Sequence, residues 1–343
     1  MGHSYRAVML QGQGGLEQLV DVDLPRQEPQ AGQARVRVLV AGAGATDMTM
    51  RRSRYLFAPP YPFVPGYEMV GVVEAVGPGV TQVHVGQKVA ALTVHSSFAE
   101  ELVWNAAALV PVPDGLDDAQ VVALILNYVT AHQMIHRVAK MHAGQTALIT
   151  GANGGVGTAL LELLRLCNVR ALAVCAPRHF DAVRALGGEP LSARGVDMAP
   201  AVKALVPGGV DVAFDILGGA GSATCVDATR KGGVVVGYGF MATNVQGKPS
   251  TVKVMQGFAA LLVGARLRGR RGTFYGITGL YRKDPKPFHQ DLPALLNLLA
   301  EKKVSPIIAH RLPFLAVRES QQLLEAGGVV GKIVLERQQV AHV

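Results

Sequence analysis

A glycine-rich turn between a strand pattern and a helix pattern carries the clearest chemistry in this sequence. Residues 146–150 read as a short apolar strand, and an apolar-striped helix begins near residue 155. Glycine lets a backbone approach a pyrophosphate closely, and the following helix N-terminus favours an anion. The turn therefore predicts a dinucleotide site, with an ordinary glycine-rich strand-to-helix turn as the alternative. The predicted cofactor contacts in the turn are Ala152, Asn153, Gly154, Gly155, Val156 and Gly157.

The end of the next strand pattern indicates which dinucleotide is bound. An NAD site would carry an acidic residue near the end of this strand, residues 170–175. Here the first acid is Asp181, already inside the next helix pattern, and Arg178 precedes it. A guanidinium pairs well with a 2′-phosphate. We therefore predict NADPH as the cofactor and Arg178 as a contact, the alternative being that Arg178 only caps a solvated helix start.

Composition indicates two domains with large buried cores. The chain has 343 residues, of which 49% are hydrophobic and 17% charged. No apolar run approaches the ~20 residues that span a bilayer, and we expect neither a signal peptide nor a membrane partner. The three cysteines form no Cys-x-x-Cys pair, which favours a reduced, cytoplasmic protein. The net charge of +8 is dispersed except at residues 266–271, read as a strand with a solvated face, so no nucleic-acid partner is expected.

The elements change character along the chain. Residues 1–125 read as short strands broken by Gly and Pro, and a helical period begins near 116. Strand and helix patterns then alternate, which predicts a parallel sheet covered on both faces. After about residue 265 come a strand-like segment, a helix over 291–300 and a final strand over 331–336.

This plan resembles the medium-chain dehydrogenase/reductase superfamily, most closely its zinc-free quinone oxidoreductase and enoyl-reductase-like branch. The motifs that carry the resemblance are residues 61–77, 83–89, 97–100, 152–157 and 327–335. The resemblance implies an α/β fold with two domains. One is a GroES-like β-rich catalytic domain formed by residues 1–125 and 265–343. The other is a Rossmann domain with a doubly wound parallel sheet that binds NADPH, residues 126–264.

The resemblance also shows where zinc ligands would stand. Gly44 takes the place of the ligand cysteine and Tyr67 that of the histidine, so two of three ligands are lost. A rival group is His132, His136 and His142, but no Glu follows His132. We therefore predict that the protein holds no metal.

The chemistry that remains is hydride transfer to an acceptor that is already electrophilic. Without a metal there is no strong Lewis acid to ionise an alcohol. A quinone, enone or enoyl substrate qualifies, because conjugation spreads the developing charge onto oxygen. We predict an NADPH-dependent reductase of a hydrophobic conjugated small molecule, and whether ring closure follows is left open. The alternatives are a zinc-free carbonyl or alcohol oxidoreductase and a non-catalytic NADPH-binding protein.

Three residues are the catalytic candidates: Tyr55, Tyr67 and Asp47. The resemblance implies a tyrosine near the nicotinamide at Tyr55, which could donate a proton or simply be a loop tyrosine. Tyr67 could do the same, although filling the space of the missing histidine is favoured. Asp47 and Glu68 are kept from the family pattern, and holding loops is the favoured role for both.

Further cofactor candidates come from the resemblance and from strand ends. Thr130 matches a family threonine close to the nicotinamide, the alternative being a hydroxyl bonded to its own helical turn. Gly237, Tyr238 and Gly239 end a parallel strand, where open α/β sheets bind ligands. Three aromatic residues could line the substrate pocket or simply pack: Phe274, Tyr275 and Tyr281.

An apolar segment bears on oligomeric state. Relatives commonly dimerise by joining edge strands of their nucleotide domains. Residues 253–263 are apolar enough to lie at such an interface, or to form a core helix. We predict a homodimer.

Overall fold

The chain forms two compact units. The computed structural model describes residues 3–53, 55–192, 195–241, 244–245, 248–249 and 251–337. The first unit comprises Met1–Val129 and Tyr281–Val343, and the second comprises Thr130–Leu280. The chain therefore returns to the first unit at Tyr281, later than the residue 265 proposed from the sequence, because the strand at Arg271–Phe274 belongs to the second unit.

The described strands and helices are as follows. The strands are β1 (Ser4–Leu10), β2 (Leu19–Pro25), β3 (Gln33–Ala43), β4 (Glu68–Val76), β5 (Lys88–Leu92), β6 (Glu101–Asn105), β7 (Val110–Pro111), β8 (Thr146–Thr150), β9 (Arg170–Val174), β10 (Glu189–Leu191), β11 (Val210–Asp215), β12 (Thr229–Gly237), β13 (Asn244–Val245), β14 (Lys248–Pro249), β15 (Arg271–Phe274), β16 (Ile308–Pro313) and β17 (Lys332–Glu336). The helices are α1 (Ala45–Arg51), α2 (Asp118–Ala123), α3 (Val129–His132), α4 (Gly155–Leu166), α5 (Phe180–Ala185), α6 (Met198–Leu205), α7 (Ala220–Ala228), α8 (Thr251–Phe258), α9 (Ala265–Leu267), α10 (Ile277–Lys283), α11 (Lys286–Ala300) and α12 (Val317–Ala326). Wider π-helical turns continue α2, α3 and α8 over Leu124–Tyr128, Gln133–Ala139 and Ala259–Gly264.

The first unit is built on a largely antiparallel sheet. Its strand order is β16-β17-β3-β4-β5-β7, and β6 pairs with β3 as well. The long strand β3 is bulged at two places and pairs with β17, β4 and β6 along its length. Bulges bend a strand and let one element serve more than one neighbour. The C-terminal strand β17 thereby joins the N-terminal strands in one sheet. A separate two-stranded ribbon, β1-β2, completes the strands of this unit among the described residues.

The second unit contains a six-stranded parallel sheet in the order β10-β9-β8-β11-β12-β15. In chain order this is 3-2-1-4-5-6, the Rossmann arrangement. Its central strands β8, β9 and β11 are mostly buried on both faces, as expected for a parallel sheet covered by helices on both sides. Buried side chains at its centre include Leu148, Leu172, Val210, Val226 and Val235. The α/β fold class expected from the sequence is confirmed.

Several elements end where the patterns predict, and two do not. The helical period predicted to begin near residue 116 is confirmed, and Leu124, Tyr128 and Ala131 on these helical turns are buried. The reading of residues 266–271 as a strand is wrong. Arg266 and Leu267 belong to α9, and within residues 266–271 only Arg271 lies in a strand, β15, because Gly269, at φ +71°, turns the chain between them. The final long helix starts at Lys286 instead of 291.

No helix in the described ranges has both the length and the apolar character needed to cross a bilayer.

Candidate functional site

The glycine-rich turn over residues 151–157 joins β8 directly to α4 and is closely packed at Gly151 and Gly157. Gly151 adopts φ +67°, a conformation that side chains disfavour. A Cβ on Gly157 would collide with the Gly151 carbonyl and lie 2.7 Å from Ala152 Cα. The Ala152 N–H donates to the Val174 carbonyl at 3.1 Å, which ties the turn to the end of β9. The first turn of α4, with its free N–H groups, therefore sits at the carboxyl edge of the sheet, where a pyrophosphate would bind.

A cavity of about 400 Å³ opens at this edge. Its described lining is Thr150, Gly151, Asn153, Val174, Cys175, Ala176, Arg178, His179, Gly195, Met198 and Leu217. These residues follow β8, β9, β10 and β11, so the cavity lies where the strand order reverses. Open α/β sheets bind their ligands at such a switch point. None of the described lining residues is Asp or Glu, and Arg178 carries a positive charge.

Arg178 and His179 form one polar wall of the cavity. Arg178 Nε donates to His179 Nε2 at 3.1 Å. His179 is buried, and the described lining of the cavity contains no acid beside it. Burial and the charge of Arg178 lower the pKa of the His179 imidazole. The sequence predicted the arginine but assigned no role to His179, whose only signal was its position beside Arg178.

A buried carboxylate that the sequence analysis missed organises the loop after β11. Asp215 Oδ1 accepts from the Leu217 N–H at 2.9 Å, and Oδ2 accepts from Ser222 Oγ at 2.7 Å. Thr150 Oγ1 at the end of β8 reaches the same carboxylate at 3.3 Å. Burial raises the pKa of Asp215 while these donors oppose the rise. The available signal was an acid closing an apolar parallel strand, at the edge where ligands bind.

The residues that end β12 pack against this same loop. Gly239 lies so close to Ile216 that a Cβ would meet Ile216 Cγ1 at 2.7 Å. The Tyr238 N–H donates to the Asp215 carbonyl at 2.8 Å, and its hydroxyl lies 3.5 Å from the Thr150 carbonyl. A Cβ on Gly237 would meet Leu261 at 2.8 Å. These residues thus lie beside the ends of β8 and β11.

Thr130 has a buried hydroxyl with an open hydrogen-bonding capacity. The residue is 5% exposed, and among the described residues Thr130 Oγ1 has no hydrogen-bond partner. The alternative of a bond to its own helical turn therefore has no support. A buried hydroxyl of this kind fits a ligand contact, because an unsatisfied buried polar group is costly.

The aromatic candidates on the later segment are engaged in packing. The Tyr275 hydroxyl donates to Gln133 Oε1 at 2.8 Å in a buried site. Phe274 stacks on Phe240 with ring centroids 5.1 Å apart. Tyr281 packs edge-on against Phe288 at 5.0 Å. These contacts favour the packing alternative for all three.

In the first unit the structure brings together Tyr55 and Tyr67. Their hydroxyl oxygens lie 2.6 Å apart and share a hydrogen bond. The rings meet edge to face with centroids 5.9 Å apart. Tyr67 is buried and Tyr55 is partly exposed. The arrangement is a phenol pair with one member accessible and the other held within the domain.

Asp47, Glu68 and Lys332 form a buried charged group in the same unit. Lys332 Nζ pairs with Glu68 Oε1, and both side chains are almost fully buried. Asp47 Oδ2 accepts from the Gly44 N–H at 2.9 Å, which closes the start of α1. Burial raises the pKa of Asp47 to about 7, against the opposing effects of the Gly44 N–H and Lys332. These contacts are those of loop-holding residues.

Each unit has a recognisable architecture: the first contains a largely antiparallel sheet, and the second a Rossmann sheet with a cavity at its switch point. Residues 30–114 match the family model of the alcohol dehydrogenase GroES-like domain. Residues 189–335 match the model described as zinc-binding dehydrogenase.

The chain is similar to known proteins along nearly its whole length. The Homo sapiens synaptic vesicle membrane protein VAT-1 homolog-like is 27% identical over 96% of this chain and 80% of its own. The crystal structure of that human protein superposes with a TM-score of 0.81 at 25% identity, over 98% of this chain and 99% of that one. A mycobacterial structure complexed with NADPH gives a TM-score of 0.82 at 23% identity, covering 97% and 100% of the two chains. The CurK enoyl reductase gives 0.83 at 20% identity, covering 98% and 100%.

The chain belongs to the medium-chain dehydrogenase/reductase superfamily.

The residues at the superfamily's catalytic zinc position do not fit the metal. Gly44 has no donor atom, and the donor set that zinc requires is Cys, His, Asp or Glu. A Cβ at Gly44 would lie 3.7 Å from Lys332 Nζ, so an ammonium group already lies beside this position. His132 and His136 have ring centroids 4.4 Å apart. Within the part of the chain that the structure describes, no group of three or more His, Cys, Asp or Glu side chains is arranged to hold a metal.

Proposed function

We propose that this protein is a zinc-independent, NADPH-dependent oxidoreductase that reduces a hydrophobic conjugated acceptor, a quinone, enone or enoyl compound. The observation that carries the proposal is the cavity at the carboxyl edge of the parallel sheet. It combines a glycine turn, a helix N-terminus and Arg178, and its described lining contains no acid. A structural neighbour was solved in complex with NADPH, and others are named as quinone or enoyl reductases.

NADPH is the cofactor that the cavity suits. The turn over residues 151–157 would hold the pyrophosphate, because α4 begins within it and a helix N-terminus favours an anion. Arg178 would pair with the 2′-phosphate, and an NAD site would place an acid there instead. The orphaned hydroxyl of Thr130 gives a further polar contact. When bound, NADPH supplies a hydride.

The chain's own residues would donate a proton to the acceptor and stabilise the negatively charged oxygen that this leaves on the donor. The hydroxyl of Tyr55, a partly exposed residue, is the proton donor in this proposal. The negative charge left on Tyr55 would be stabilised by the hydroxyl of Tyr67, which already lies at 2.6 Å. Asp47 and Glu68 keep the supporting loop in place through Gly44 and Lys332. A conjugated acceptor suits this machinery, since it needs a proton and no Lewis acid.

A cofactor titration tests the first half of the proposal. NADPH and NADH are added separately to the purified protein while cofactor fluorescence is followed. We expect NADPH to bind at least about tenfold more tightly, and Arg178→Met to remove that difference, because a charge-assisted pair is lost. Equal affinities for the two cofactors in the wild-type protein would contradict the choice of NADPH.

A panel of acceptors tests the second half. Quinones, enones, enoyl thioesters, simple aldehydes and alcohols are offered with the matching oxidised or reduced cofactor, and turnover is measured together with metal content. Turnover confined to conjugated acceptors in metal-free protein is expected. Turnover of simple carbonyls would favour the carbonyl or alcohol oxidoreductase. No turnover at all would favour a non-catalytic NADPH-binding protein.

We also propose a homodimer and a cytoplasmic location. Strand β15 is an edge of the parallel sheet, and helical residues 251–267 pack beside it. Leu261 faces inward and is buried, whereas side chains three or four residues apart on the other face are exposed. The exposed apolar members are Val252, Met255, Leu262, Val263 and Leu267. A contiguous apolar stripe beside an open edge strand suits pairing with a second copy.

A further inference from the structure

The hydrogen bond between Arg178 and His179 fixes the protonation state of the His179 ring. Nε2 of His179 can accept from Arg178 Nε only if it carries no proton, so the neutral ring holds its proton on Nδ1. The surroundings favour this state, because burial and the adjacent guanidinium lower the pKa of His179. Arg178 is the one charged group that acts on His179 among the described residues. His179 is therefore a neutral acceptor with a fixed partner.

This bond uses only one of the five N–H groups of the guanidinium. Nε is committed to His179, and the four N–H groups on the two Nη atoms remain as a planar fork. Among the described residues no carboxylate pairs with Arg178, and no acid lines the cavity. A planar fork binds a phosphate through two parallel bonds when its plane is held still.

We infer that His179 is a positioning residue that fixes the plane of Arg178 for two-pronged binding of the cofactor's 2′-phosphate. The inference rests on the proposed use of NADPH and names a second residue that sets the preference for it. An arginine without such a partner keeps its rotamer freedom until the ligand arrives, and that ordering weakens binding. The acceptor nitrogen of His179 already holds the Arg178 side chain, so this side chain need not be ordered when the ligand binds.

The test uses adenosine 2′,5′-bisphosphate and adenosine 5′-diphosphate as probes, so it does not depend on the reaction. The variants are His179→Phe, which keeps a ring and removes the acceptor, and His179→Gln, whose amide oxygen can accept. We expect His179→Phe to weaken the 2′,5′-bisphosphate about tenfold, the effect of losing one hydrogen bond to a charged group. Its affinity for the 5′-diphosphate should stay unchanged, and His179→Gln should keep most of the wild-type preference.

A double-mutant cycle separates positioning from packing. In an Arg178→Met background, His179→Phe should have no further effect on the 2′,5′-bisphosphate, because its action runs through the arginine. The matched control is Arg184→Met on α5, whose guanidinium pairs with exposed Asp181 and does not line the cavity. This control should leave both affinities as in the wild type.

Three outcomes overturn the inference and are distinct from failure of the proposed function. If His179→Phe weakens both probes equally, or weakens neither, His179 only packs against the cavity. The same holds if its effect persists undiminished without Arg178. If the wild-type protein does not prefer the 2′,5′-bisphosphate at all, the proposed cofactor preference itself fails. Binding of the 5′-diphosphate reports folding of every variant.

Discussion

The proposed proton transfer depends on the hydroxyl of Tyr55, which shares a hydrogen bond with the hydroxyl of Tyr67. Removal of the Tyr55 hydroxyl should lower kcat with a conjugated acceptor by about a hundredfold, the low end of the range for a general acid. NADPH affinity should be unchanged. The measurement is steady-state kinetics of Tyr55→Phe, with Tyr5→Phe on β1 as the control. Undiminished turnover would remove Tyr55 as the proton donor.

Tyr67→Phe distinguishes a partner from a space-filler. A phenylalanine occupies the same volume but cannot stabilise the charge on Tyr55. A loss of kcat smaller than that of Tyr55→Phe, without a change in thermal stability, is expected. A filling role would instead leave kcat intact.

Asp47 should make stability depend on pH. Its folded pKa is raised from 3.8 to about 7 by burial, so folding favours the protonated form. The stabilisation is complete below the unfolded pKa and is lost as pH rises towards 7. Between pH 5 and 8 the wild-type protein should lose about 2 to 3 kcal/mol of unfolding free energy relative to Asp47→Asn.

The comparison is made by denaturant unfolding at both pH values. Asp114→Asn, at an exposed position, serves as the control and should track the wild-type protein. A constant difference between Asp47→Asn and wild type across this range would contradict a raised pKa for Asp47.

At the scale of elements, the glycine turn depends on the close approach of α4 to β8. Gly157→Ala places a methyl group against the Gly151 carbonyl and Ala152, so the turn must open. NADPH affinity should fall about tenfold or more, because the phosphate donors move out of line. Isothermal titration calorimetry measures the NADPH affinity. Gly208→Ala is the matched control, since no atom lies within 4 Å of its added Cβ; equal affinities for both variants would contradict the turn's role.

The alternating elements of the second unit were largely predictable. Strand β8 covers the predicted residues 146–150, and α4 starts at the predicted residue 155. Long apolar periods bounded by glycine leave few alternatives there. The predicted helix over 291–300 starts five residues earlier, at Lys286, and contains Pro293 in its interior.

The site was predictable where it is local in sequence and hidden where it is not. The turn over residues 151–157 and Arg178 follow from adjacent residues. The pairing of Lys332 with Glu68 joins positions 264 residues apart, which no periodicity reports. The network of Asp215 with Thr150 likewise arises only when two parallel strands place their ends together.

At the scale of the whole molecule, the exposed stripe beside β15 governs assembly. Val263 is 57% exposed on that stripe. In the proposed dimer Val263→Glu buries an unpaired charge, so sedimentation velocity should show a dimer for wild type and a monomer for the variant. Leu205→Glu, at an exposed apolar position on α6, should remain dimeric. A monomeric wild-type protein would contradict the proposal.

The reaction proposed for this protein is hydride transfer to a conjugated acceptor without a metal. Protein dialysed against a chelator is mixed with NADPH deuterated at the transferable position of the nicotinamide and with an enone or enoyl thioester, and the product is analysed by mass spectrometry. We expect a reduced product that carries one deuterium on its β-carbon. Two results would contradict this reaction. In the first, no enone or enoyl thioester gives a deuterated product and no quinone causes NADPH to be consumed. In the second, turnover appears only when zinc is added.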